Sequence, residues 1–140
     1  MNIKRRLVLR VLSVFLLIVL GVGLSMIFSK PTVTLIKSKS YYSDFTVVDQ
    51  KVTVKCYITL KNTYNVDKTV KLSALFPDDV KIGLLKSSEL YAVDMDNTDI
   101  EFIIPKKSQK SFEVNFVGDF AGVNRKHDRL LPQINITIID

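Results

Sequence analysis

From Val11 to Phe28 the chain carries eighteen consecutive residues without a charge, interrupted among polar types only by Ser13 and Ser25. A helix of that length reaches about 27 Å, close to the thickness of a bilayer's hydrocarbon core. The run is apolar on every face rather than along one stripe, so a small soluble core could not cover it. Leu7, Val8 and Leu9 extend it past Arg10, whose long stem can snorkel toward an interface. Lys4, Arg5, Arg6 and Arg10 stand before it, and the positive-inside tendency then places the N-terminus in the cytoplasm and sends the following chain across. A cleaved secretory leader has the same layout, but with a shorter apolar core and small residues of the A-x-A kind at its end. This run holds no Ala, and no Cys follows it to take a lipid. The segment therefore reads as an uncleaved signal anchor over 7–28. Val11, Phe15, Leu16, Leu17, Ile18, Val19 and Leu20 form its apolar body. A basic cytoplasmic segment over 1–6 precedes it, a linker over 29–39 follows, and an extracytoplasmic domain occupies 40–140.

The charge balance depends on that division. The whole chain has a formal charge of +6, but five of its twenty basic residues lie in 1–30, where there is no acid. The remaining fifteen face fourteen acids, a net of +1, so the high isoelectric point belongs to the N-terminus and gives no reason to expect nucleic acid as a partner. Cys56 is the only cysteine, which rules out an intrachain disulfide and a Cys-rich metal site built from one chain. Its mid-strand place reads as a small buried apolar side chain. One histidine likewise cannot supply a His-rich zinc site within one subunit.

Beyond Pro31 the periodicity becomes two. In "KVTVKCYITLK" Val52, Val54, Cys56, Ile58 and Leu60 alternate with polar positions, which a strand places on opposite faces and a helix would scatter. The alternation recurs at Val70 to Phe76, Ile100 to Ile104, Phe112 to Phe116 and Ile134 to Ile138, with weaker runs at Phe45–Val48, Val80–Leu85 and Leu90–Val93. Polar or Pro-bearing turns separate them, and six to eight strands with one buried face are predicted. One apolar face needs a second layer, so the expected fold is all-β, an antiparallel two-sheet sandwich preceded by a single transmembrane helix.

The alternating strand, the polar "KN" turn, the following "KTVKL" and the later "IPKKSQKSFEVNF" segment resemble the bacterial immunoglobulin-like sandwiches found on cell surfaces. The resemblance covers about 45–138 at superfamily level and implies binding, spacing or assembly more than catalysis. The Cys and Trp landmarks of antibody-type domains are missing.

Two stretches concentrate polar chemistry. "GDFAGVNRKHDRLLPQ", 118–133, is the longest polar connection, and long ordered loops often carry binding. Its Arg125, Lys126, His127 and Arg129 are the expected partner-binding residues. His127 beside Asp128 has no assignable Ser or Cys partner here, so no catalytic set is drawn. "DMDNTD", 94–99, gathers Asp94, Asp96 and Asp99, which could offer oxygens to calcium but lack the EF-hand Gly and distal Glu. Asp and Asn are also what a tight turn selects. Tyr41 and Tyr42 stand just past the linker, where aromatics suit either a bilayer interface or a strand edge. The expected role is a non-enzymatic module, anchored in the lipid bilayer, that binds or positions another envelope or membrane protein. No cofactor is implied, and a calcium- or ligand-binding surface domain using Asp94, Asp96 and Asp99 is the alternative.

Overall fold

One strand, β3 (Lys51–Asn62), is hydrogen-bonded along both edges and organises the body. Its inward residues Val52, Val54, Cys56, Ile58 and Leu60 are at most 1% exposed, as the period-two pattern requires. The computed structural model describes residues 10–18, 30–124 and 128–140. Contacts divide the chain into two compact units, 1–31 and 32–140.

In the first unit, α1 occupies 10–18, and its apolar side chains face solvent all round, with Phe15 and Leu17 both 69% exposed. Among the described residues no helix is long and apolar enough to cross a membrane. The rest of the predicted 7–28 anchor, Val19 and Leu20 included, lies outside the described residues.

The second unit is all-β and antiparallel throughout. β1 (Val33–Leu35) and β2 (Tyr41–Val48) share one edge of β3, and β7 (Gln109–Asp119) takes the other in an unbroken register from Lys51↔Asp119 to Lys61↔Gln109. β4 (Lys68–Leu75) centres a second ladder, with β8 (Gln133–Ile138) on one edge and β6 (Phe102–Ile104) pairing its N-terminal end. The two ladders join through β5 (Glu89–Val93): Glu89 to Tyr91 pair with β4, and Ala92 and Val93 pair with β7. The result is one curled eight-stranded sheet whose concave side is a single core, to which β4 contributes Val70, Leu72 and Ala74 and β7 contributes Val114 and Phe116.

Two expectations need correction. The segment 32–39, predicted as linker, carries β1 and a 3-10 turn (Lys37–Lys39) fastened to β3, where Ile36 N donates to Thr59 O at 2.9 Å and the Thr59 hydroxyl donates to Lys39 O at 3.0 Å. Three residues of strand between Pro31 and a polar turn are too short to register as a period. Val80–Leu85 is not a strand but continues from a short helix, α2 (Pro77–Lys81). Pro77 at the first helical position and acids in the first turn favour that start, and they outweigh an alternation only three apolar residues long.

Asn62 is the most buried polar side chain of the body, and its hydrogen bonds are all made within it. Asn62, 1% exposed, donates from Nδ2 to Val66 O at 2.9 Å and Ile104 O at 3.0 Å, and its Oδ1 accepts from Tyr64 N at 2.8 Å. It thereby clamps the β3–β4 turn to β6.

The β2–β3 hairpin turns on Asp49 and Gln50, both with positive φ (50° and 62°). That is the geometry of a type I′ turn, which favours Gly at its second position. Gln50→Gly should therefore stabilise the fold by about 0.5–1 kcal/mol, because the left-handed penalty of a side chain exceeds the entropy that Gly loses. A thermal midpoint that falls would contradict this. Burial pushes the Cys56 thiol up to about 12 from 9.0, so the folded state holds a proton that the unfolded chain releases. Its contribution is complete below the unfolded value and disappears as pH rises through the folded one. Denaturant midpoints should drop between about pH 8 and about pH 10.5, with a shallower drop in Cys56→Ala. Tyr42, raised chiefly by burial, adds a slope of the same sign that this variant keeps.

A candidate binding cleft at the α2 end

After β7 the chain folds back along the residues that follow α2. Phe120 N donates to Gln50 O, Ala121 N to Leu84 O and Val123 N to Gly83 O, at 2.9, 2.9 and 3.0 Å. Gly83 has a φ of 82°, and a Cβ there would lie 3.1 Å from the Val123 side chain, so the close approach needs glycine twice over. Residues 128–132 then return toward β8. Between this return and α2 lies a cleft of about 1000 Å³, with Tyr42 of β2 at one side and Phe76, Ile82, Leu131 and Pro132 among its apolar lining.

The cleft is held in shape by an ion pair. Arg129 Nη2 lies 3.0 Å from Asp79 Oδ1, and the two side chains are only 6% and 8% exposed. The guanidinium also covers the Phe45 ring of β2, with Cζ 4.0 Å from the ring centre. Asp79 is fixed from its own side too, since its carbonyl accepts from Leu84 N and Leu85 N. One guanidinium thus ties β2, α2 and the returning loop together. Burial raises the Tyr42 phenol, and the Arg129 charge beside it offsets part of that rise. Arg129 Nε is buried without a hydrogen-bond partner.

Arg129 was expected to supply charge to a partner, the plainer reading of its stretch being a loop with salt-bridging side chains; the structure turns it inward onto Asp79, in line with that plainer reading. A buried carboxylate that needs a counter-charge explains the difference. Arg125, Lys126 and His127 lie outside the described residues. The 94–99 stretch folds as a turn: Asp94 Oδ1 accepts from Asp96 N and Thr98 N at 2.9 Å each, and Asn97 takes the left-handed conformation with φ 59°. Asp99 lies 3.8 Å from Lys71 Nζ. Among the described residues no group of three or more His, Cys, Asp and Glu side chains is placed to hold a metal ion, so the calcium expectation for Asp94, Asp96 and Asp99 has no assembled site behind it. Tyr41 stacks on Tyr57 across the sheet at 5.5 Å between ring centres.

Sequence reading missed Asp79 and Phe45 as parts of a site. "FPDDVK" does carry a signal, a proline followed by two acids, that marks a helix start. Nothing local links Asp79 to an arginine fifty residues later. No protein-family model matches the chain, no curated protein matches it, and no solved structure matches it.

Breaking a buried pair leaves a charge without compensation. Arg129→Ala should cost about 3 kcal/mol, whereas Asp79→Leu combined with Arg129→Met should recover most of that loss. Equal instability of the single and double variants in denaturant titrations would contradict this account.

Proposed function

We propose that the chain is a membrane-tethered, non-enzymatic binding module whose C-terminal unit, a curled antiparallel sheet closed over one core, is an immunoglobulin-like sandwich on the extracytoplasmic side. It holds a segment of another envelope or membrane protein in the cleft between α2 and residues 128–132. The observation that carries this reading is the cleft itself: a concavity of about 1000 Å³ whose lining mixes apolar side chains with charged ones around the Asp79–Arg129 ion pair. Such a combination suits a ligand with apolar anchors and few charges. Leu130, 89% exposed at the rim, offers apolar area of the kind that partners cover. Among the described residues of the lining, Asp78 and Asp128 stand with Lys81 beside the Asp79–Arg129 pair and offer polar contacts to a bound segment. The tether rests on the apolar run and on α1, whose described apolar side chains are exposed.

The test is photocrosslinking in intact membranes from position 130, with position 91 on β5 as the control. A discrete adduct from 130 that is absent from 91 and abolished by Ile82→Asp is expected. Identical adduct patterns from both positions would remove the cleft from consideration.

A further inference from the structure

The β unit is electrically lopsided along its strands. Thr32, where the chain enters it, is fastened at one end: Thr32 N donates to Thr63 Oγ1 at 2.7 Å and Thr63 N to Thr32 O at 2.9 Å. Strand directions and register bring seven lysines to that end. Lys61 and Lys68 flank the β3–β4 turn, Lys106, Lys107 and Lys110 surround the β6–β7 turn, and Lys37 and Lys39 sit on the 3-10 turn beside them. Only Asp67 and Asp140 oppose them there among the described residues. The other described residues from 31 onward carry six basic and twelve acidic side chains.

Asp140 is already engaged, with Lys68 Nζ 3.9 Å from its carboxylate and 3.2 Å from its carbonyl oxygen. Asp67 accepts from Lys106 N at 2.9 Å. Other lysine heads lean on neutral groups: Lys107 Nζ donates to Thr63 O at 2.7 Å, Lys110 Nζ to Ile103 O at 3.3 Å, and Lys39 Nζ to the Gln109 amide oxygen at 3.0 Å. These bonds aim the ammonium groups without cancelling their charge. At the tip of the β3–β4 turn Val66 is 55% exposed, an apolar side chain framed by cations. An apolar tip within a basic rim fits the headgroup layer of a bilayer.

We propose that this end of the β unit docks on anionic phospholipid headgroups of the membrane that holds the tether. The inference rests on the tether proposed above, because Thr32, which lies at this end, is joined to Phe28 of the apolar run through only three residues. The ammonium groups recognise headgroup phosphate that no choline shields, and the attraction is screened by salt.

The experiment uses the full chain reconstituted into vesicles of phosphatidylcholine alone or mixed with phosphatidylglycerol. A fluorophore is placed at Asn65→Cys or, at the opposite end, Lys86→Cys, while buried Cys56 stays unlabelled. Acrylamide quenching at position 65 should fall roughly threefold in the anionic vesicles and recover at about 0.5 M salt. It should not change at position 86. K61Q/K106Q/K107Q/K110Q, all exposed positions, should abolish the protection without moving the melting midpoint. Equal quenching at 65 in both vesicles, with the protein floating in both, overturns the headgroup contact and leaves the tether intact. A chain that floats with neither vesicle overturns both. Flotation with anionic vesicles only, reversed by salt, removes the tether and keeps the contact. Equal protection by a soluble polyanion over neutral vesicles overturns the assignment to lipid.

Discussion

Everything in the β unit is registered on β3, whose inward side chains have no solvent-facing alternative. A slip of one residue would send Val52 to Leu60 outward and bring Lys51, Lys55 and Lys61 into the core, exchanging five buried apolar groups for buried charge. β7 is locked to it over eleven consecutive pairs, and β1 and β2 share its remaining edge, so the position of each is inherited from that one hydrophobic face. Asn62 fixes where this ladder ends, since its amide satisfies backbone groups on both the following turn and β6.

The cleft obeys a different rule. Its walls are a five-residue helix and an irregular loop, neither of which has enough apolar area to hold itself in place. A guanidinium under cover of an aromatic ring and against a carboxylate supplies that definition through geometry rather than area. Buried pairs of this kind contribute little net stability compared with apolar replacements. What they contribute here is one arrangement among several that a loop of this length could adopt. The floor is thereby held in one arrangement by Asp79 and Arg129.

How much of this was legible in the sequence follows from the range of each interaction. The strands of β3, β4, β7 and β8 are visible because alternation is a local signal repeated over many residues, and Cys56 sits in the core as its place in that pattern requires. β1 is invisible for want of length, and α2 was hidden because Val80, Ile82 and Leu84 imitate a strand while Pro77, Asp78 and Asp79 specify a helix. For Arg129 a salt bridge within the loop's surroundings was a legible alternative to a partner contact, but its mate was not, since only the fold brings Asp79 beside it. The Asp94 turn was readable in the opposite sense: the residues that could have offered oxygens to a cation are those that a tight turn uses for its own N–H groups.

β5 belongs to two ladders at once, giving three residues to β4 and two to β7. A strand shared in this way acts as a hinge pin common to both leaves. Neither half can shed it and remain closed, because its departure uncovers Leu90 and Ala92 to water on behalf of both. Partial melting of one ladder is therefore uphill for the other, and the body should come apart as one cooperative piece. A load arriving at the cleft would be carried across the whole sheet rather than absorbed where it lands.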